Sequence, residues 1–205
     1  MATSAVTKGD RARERVLDAV IDAIASRGLA NLSIAEIGDA AGMSAGHVMY
    51  YFGTKDALFL EALRHSEGSL DSTRLRLMNR TGSPPKILRD YIALYLPASD
   101  RDARWSLWLE VWNQSLTSPD LGSVQLELDA RWQLDLESII QRGLKSDDFV
   151  VADTNLAVGV ISSLLDGIAV RMITGTPGLD RRKAIRLATS GCEQLLGKRN
   201  SQCVD

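Results

Sequence analysis

Residues 33–52 read SIAEIGDAAGMSAGHVMYYF, and Gly53, Thr54 and Lys55 follow directly. Ser33 stands three positions before Glu36. In that arrangement a hydroxyl accepts from the third helical N–H while the carboxylate returns to the cap. Ile34, Ile37 and Ala41 then recur at i, i+3 and i+7, which gives a short helix one apolar face. Gly42 ends it, Met43 plugs the turn, and Ser44 caps a second short helix. Val48 and Phe52, four apart, supply that helix's buried side. A short helix, a glycine turn and another short helix form a helix-turn-helix. The same spacing occurs in structural αα-hairpins, so the residues alone leave DNA binding and a purely structural turn both open.

In the DNA-binding reading the second helix enters the major groove, since its inner side packs and its N-terminal and outer positions face the duplex. Those positions are Ser44, Ala45, Gly46, His47, Met49, Tyr50 and Tyr51. Small residues at its start admit close approach of the backbone, and His, Tyr and Lys side chains bring donors to bases or phosphates. The stretch SIAEIGDAAGMSAGHVMYYFGTKDAL, preceded by an amphipathic helix ending RGLANL, resembles the N-terminal domain of the TetR family of transcriptional regulators. The resemblance spans roughly residues 10 to 65. It implies phosphate positioning by Ser33, Tyr51, Thr54 and Lys55, and base proximity for Ala45, Gly46, His47 and Tyr50. Met49 departs from the pattern, standing where the family often carries a tyrosine.

Charge argues the other way. The 205-residue chain has a net charge of -2, and its first 66 residues carry seven Lys and Arg against eight Asp and Glu. Phosphate affinity therefore has to come from placement, with Lys8, Arg11, Arg13, Arg15 and Lys55 turned toward DNA. The two cysteines, Cys192 and Cys203, make neither a disulfide framework nor a zinc spacing. Cys192 reads as a buried reduced thiol at a helical core position. No apolar signal segment opens the chain, and the most apolar run, residues 156–173, is interrupted by Asp166 and Arg171. A cytoplasmic protein without a membrane span is expected.

Periodicity predicts an all-α chain of about nine helices, and the resemblance implies a DNA-binding domain over 1–53 and a larger ligand-binding and dimerisation bundle over 54–205. The first helix runs from Asp10 to Gly28 with Val16, Leu17, Val20, Ile21 and Ile24 on one face. A helix from Thr54 bridges the two domains through Phe59, Leu63, Leu70 and Leu77, with a possible bend at Gly68. Glu61 and His65 on it lack the partners a metal centre requires. Beyond the break at Gly82-Ser83-Pro84-Pro85, one helix carries Ile87, Leu88, Tyr91, Leu94 and Tyr95. The next holds Trp105, Trp108, Leu109 and Trp112 in one stripe, and the longest, from Pro119, turns Leu121, Val124, Leu128, Trp132, Leu136 and Ile139 inward. The tryptophan stripe reads as core, as a ligand wall, or as both. With Trp132 and Asp166 it forms the candidate ligand set. The segment WSLWLEVWNQSLTSPDL resembles the C-terminal domain of the betaine-pathway repressors within the same family.

The helix after the longest one is apolar over most of its circumference, and with the last helix it is the candidate dimer interface through Leu156, Val160, Ile161, Leu164, Ile168, Ile185, Ala188, Cys192 and Leu195, the alternative being the inner layer of a monomeric bundle. The resembling family dimerises through this pair. No nucleophile elbow, phosphate-cradling loop or paired catalytic histidine occurs, so no enzyme, metal or cofactor is expected. The expected function is that of a ligand-responsive DNA-binding regulator, a repressor released from a near-palindromic operator by a small molecule. An activator of the same fold, or a helical sensor or adaptor whose N-terminal unit binds protein, are the alternatives.

Overall fold

A computed structural model describes residues 7–28, 32–116 and 119–197, without the side chains of 119–121. Leu121, expected to face inward, and Cys203 lie outside the described side chains. The described residues form nine helices: α1 Lys8–Arg27, α2 Ile34–Ala41, α3 Ala45–Phe52, α4 Lys55–Met78, α5 Pro84–Tyr95, α6 Ala103–Ser115, α7 Pro119–Lys145, α8 Thr154–Ile173 and α9 Arg181–Leu196. Two compact units divide them, Met1–Ser69 with Arg101–Gly122, and Leu70–Asp100 with Ser123–Asp205. The first half of α4 and all of α6 fall with the helix-turn-helix, because their apolar sides pack there.

In the first unit, α1 starts earlier than the periodicity suggested. The Thr7 hydroxyl accepts from the Asp10 N–H at 3.1 Å while the Asp10 carboxylate accepts from the Thr7 N–H at 2.9 Å, a capping box that draws Lys8 and Gly9 into the helix. Val16, Val20 and Ile24 of α1, Ile37 of α2, Val48 and Phe52 of α3, and Leu58 and Leu63 of α4 are all buried. Helix α1 packs on both α2 and α6. Trp105 and Trp108 of α6 are buried, so the stripe's inner edge is core. A carboxylate and a guanidinium are buried beside it: Glu67 accepts from the Trp108 indole N–H at 2.8 Å and from Arg104 at 3.3 Å. At 3% and 8% exposure these two charges depend on each other, since removing one partner leaves the other ionised without water.

In the second unit α5 packs on α9, and α9 on α8. Arg181 fastens the end of α5 by donating to the carbonyls of Ala93, Leu96 and Pro97, a side-chain cap for acceptors that helix geometry leaves without partners. Arg142 does the same for α4 through the Met78 and Arg80 carbonyls. Helix α4 passes through Gly68 as a single α-helix. Cys192 is buried and its thiol pushed up to about 12 by burial, which keeps it protonated and unreactive. Helix α8 is long and apolar enough to cross a bilayer by length and composition, and 39% of its most apolar window is buried. Among its exposed residues are the apolar Leu156 and Val160.

Candidate nucleic-acid interface and ligand residues

The α2–α3 turn is built from local hydrogen bonds that the sequence encodes. Ser33 Oγ donates to Glu36 at 2.7 Å and accepts from the Glu36 N–H at 3.2 Å, and the Ser33 N–H donates to the same carboxylate at 3.1 Å. These bonds, with Arg27 3.0 Å away, hold the Glu36 carboxyl below its ordinary range, the Ser33 hydroxyl contributing most. Both Ser33 donors are thus committed to the cap, which weighs against the phosphate contact expected of that hydroxyl. Gly42 sits at φ 71° as the left-handed C-cap of α2, and the Ser44 hydroxyl accepts from the His47 N–H at 3.2 Å to start α3.

One requirement was missed in the sequence. A Cβ at Gly38 would lie 2.6 Å from the Met43 carbonyl oxygen and 3.2 Å from the Ala45 nitrogen. The turn therefore folds back over bare backbone at residue 38, and the cue available was a glycine in the middle of an otherwise apolar helix.

Helix α3 divides by face as expected. Val48 and Phe52 are interior, His47 and Gly46 are exposed, and Tyr50 is 81% exposed. Ala45, Met49 and Tyr51 are half-buried, and the rings of Tyr50 and Tyr51 meet edge to face at 5.7 Å. The Thr54 hydroxyl accepts from the Ala57 N–H at 3.0 Å to begin α4, and Lys55 beside it is exposed, its ammonium 5.3 Å from the Phe59 ring centroid.

Arg13 is the clear departure among the basic residues. Its guanidinium donates to the Tyr51 carbonyl at 2.8 Å and to Glu61, and lies 4.7 Å over the Phe52 ring. It pins α1 to the end of α3, which weighs against the phosphate contact expected of it. Lys8, Arg11 and Arg15 are exposed. Glu61 is thereby taken by Arg13, and His65 pairs with Asp18 at 2.9 Å.

The expected ligand residues are distributed over the two units. Trp105, Trp108, Leu109 and Trp112 belong to the first unit, Trp132 and Asp166 to the second. Trp105 and Trp108 are core; Leu109 and Trp112 are half-buried, and the Trp112 indole N–H is buried without an acceptor. In the second unit Trp132 meets Tyr91 and Tyr95 edge to face at 5.7 and 5.1 Å. The Tyr91 hydroxyl donates to the Trp132 carbonyl at 3.0 Å, and the Tyr95 hydroxyl donates to Asp166. Burial holds the Asp166 carboxyl above its ordinary range, against the Tyr95 hydrogen bond, which pulls it down. Three rings and a desolvated carboxylate make surroundings suited to a cation. Tyr91 and Tyr95 were not among the expected ligand residues; their i, i+4 spacing was the available signal.

The interface residues also separate. Ile161, Ile168, Ala188 and Cys192 are buried in their own chain, and Leu164 and Ile185 are half-buried. Helices α8 and α9 pack against each other and take the buried side chains into their seam. Leu156, Val160 and Leu195 stay exposed, joined by Leu187, which was not anticipated.

Residues 84–197 match the family described as BetI-type transcriptional repressor, C-terminal, and residues 16–62 match bacterial regulatory proteins, tetR family. The chain belongs to the TetR family. It is similar to the HTH-type transcriptional regulator BetI of Burkholderia mallei, 28% identical over 189 residues that cover 91% of this chain and 94% of the relative. BetI 1 of Chromohalobacter salexigens is 29% identical over 191 residues, 92% of each. A transcriptional regulator from Saccharomonospora viridis, solved in complex with choline, has a TM-score of 0.83 at 26% identity, covering 92% of this chain and 99% of that one. FadR of Bacillus subtilis, solved with stearoyl-CoA, shares the fold with a TM-score of 0.71 at 17% identity, over 91% and 99% of the two chains. This TetR-family protein is thus a ligand-responsive DNA-binding transcriptional regulator. The match over 16–62 contains α2 and α3 with their caps, and the match over 84–197 contains Tyr91, Tyr95, Trp132 and Asp166.

Proposed function

We propose that the chain is a cytoplasmic repressor that binds a near-palindromic operator as a homodimer and is released by a small organic cation. The observation that carries the DNA reading is the division of α3, with Val48 and Phe52 interior and His47 and Tyr50 turned to solvent. Two such helices, roughly 34 Å apart, would enter successive major grooves. Tyr51, Thr54 and Lys55 act on phosphates, and Ala45, Gly46, His47 and Tyr50 lie near base edges. Fluorescence anisotropy with the intergenic DNA upstream of the chain's own gene tests this. Binding that choline reverses is expected, and no preference for that DNA over a scrambled duplex would refute it.

Two substitutions separate the roles. His47→Ala is expected to erode discrimination between operator and scrambled DNA by about 1–3 kcal/mol, with little loss on the scrambled duplex. Lys55→Ala is expected to weaken both equally and to lower the slope of log K against log salt by about one. A salt titration of both variants checks the pair, and an unchanged slope would remove Lys55 from the interface.

For the effector we assign Tyr91, Tyr95, Trp132 and Asp166, supported by the ring geometry and by the choline bound to the Saccharomonospora viridis regulator. Trp105 and Trp108 are left to the core. An ammonium beside Asp166 favours its ionised form, so affinity should rise with pH through the raised pKa and level off above it. For stability the sign is reversed. A folded pKa above the unfolded one means that ionisation costs stability, and the cost sets in as pH rises past the unfolded value. Asp166→Asn removes that cost and keeps an acceptor for Tyr95. At pH 7 the variant is expected to melt at the same or a higher temperature and to bind no choline, as read by differential scanning fluorimetry and calorimetric titration.

The dimer reading rests on the uncovered side of α8 and α9. Leu156, Val160, Leu187 and Leu195 are exposed there, and a Cβ at Gly159 or Gly167 would meet nothing within 4 Å. An apolar helix surface of this kind is stable in water when a second copy covers it.

A further inference from the structure

Trp132 already carries a cation of the chain's own. The Arg74 guanidinium lies 4.6 Å from the Trp132 ring centroid, and its Nε and Nη2 donate to Asp135 at 2.9 and 2.7 Å. Asp71, one turn earlier on α4, adds a weaker contact at 3.6 Å. Arg74 is 8% exposed and Trp132 is buried, so the guanidinium is desolvated on the ring that is the strongest cation acceptor among aromatic side chains. On the same ring Tyr95 approaches at 5.1 Å and hands on, through its hydroxyl, to Asp166. Arg74 belongs to the same unbroken helix as Lys55, which stands three positions beyond the end of α3.

We propose that Arg74 is a latch: it holds the end of α4 on Trp132 and Asp135 of α7, and a cationic effector displaces it from the ring. The proposal rests on the effector reading above. A quaternary ammonium has no N–H to offer Asp135, so it replaces the guanidinium on the ring without replacing its ion pair. Asp135 is 22% exposed, and the displaced guanidinium keeps that partner while it turns toward solvent. Ring occupancy by Arg74 and by the effector is mutually exclusive, and each weakens the other by the same factor. The state with Arg74 seated is the one that binds operator.

The test compares the full-length wild type with the double variant Arg74→Gln, Asp135→Asn, which removes both charges and so leaves neither stranded. Choline is the calorimetric probe, and operator affinity is measured separately with no ligand present. The double variant is expected to bind choline more tightly by roughly fivefold or more, and operator more weakly by a similar factor. Arg74→Lys, which keeps a cation over the ring, should hold operator affinity near wild type, an outcome that loss of packing alone would not give. Wild-type values for both affinities in the double variant would overturn the latch while leaving the effector reading intact. Choline binding to neither protein, with operator affinity still lowered in the double variant, would sink the effector reading and overturn the displacement of Arg74 by a cation, leaving only its structural hold on α7. Choline binding to neither with unchanged operator affinity overturns both. Should the double variant lose its cooperative melt, Trp132→Phe carries the test. It keeps a ring with a weaker hold on cations, and undiminished operator affinity there would overturn the latch.

Discussion

Alanine at position 38 is expected to remove operator binding. The added Cβ would meet the Met43 carbonyl oxygen at 2.6 Å and the Ala45 nitrogen at 3.2 Å. Both are backbone atoms, so no side-chain rotation relieves the contact. The Met43 N–H also donates to the Gly38 carbonyl at 2.9 Å, which ties the turn to the position it would have to leave. Overpacking of this kind costs about 1–3 kcal/mol, and in a chain of this length each kcal/mol lowers Tm by about 2–4 °C. The loss of function exceeds the loss of stability, because the atoms that must move carry the start of α3. Gly46→Ala is the contrasting case. Its Cβ would meet only the Ser44 hydroxyl, at 3.8 Å, and alanine favours a helix over glycine by about 1 kcal/mol. That variant should keep or raise Tm, so any weakened DNA binding in it comes from the outer face of α3. Thermal melts and anisotropy on the two variants check both halves. Gly38→Ala with wild-type Tm and affinity would show that the turn gives way more easily than its backbone contacts imply.

Leucine at position 159 is expected to convert the proposed dimer to monomers. Within the chain the site is open, and leucine is a better helix former than glycine, so the isolated fold should be unharmed. Against a second copy the same side chain holds two α8 helices apart where Gly159, Ser163 and Gly167 otherwise allow close approach. A monomer presents one recognition helix and loses the gain from linking two half-sites, roughly 10²–10⁴ in affinity. Light scattering after size exclusion and operator titration measure the two effects. A Gly159→Leu protein that remains dimeric at micromolar concentration would move the interface off this face of α8. Leu187→Asp, on the exposed side of α9, should act in the same direction.

Local instructions were legible in the chain. The Ser33 and Glu36 capping box, the left-handed turn at Gly42, the Ser44 and Thr54 caps and the inward pair Val48 and Phe52 are all where the spacing puts them. Each depends on atoms at most four residues apart, and hydrogen bonds over that distance are written directly in residue order. From them follow the helix-turn-helix, the exposure of His47 and Tyr50, and the all-α class.

Tertiary structure alone decided what each long side chain touches. Arg13, set among three arginines that looked alike, finds Tyr51 and Glu61 on later helices. The tryptophans, alike in sequence, divide between two units, and Trp132 gathers Tyr91, Tyr95 and Arg74 from α5 and α4. On α8, apolar residues nearly encircle the helix, so periodicity could not separate Ile161 and Ile168, covered by the chain's own helices, from Leu156 and Val160, left outside. The physical reason is the same in each case. Helix formation is settled by neighbours within one turn, whereas burial and charge pairing are settled by whichever distant helix arrives on that side.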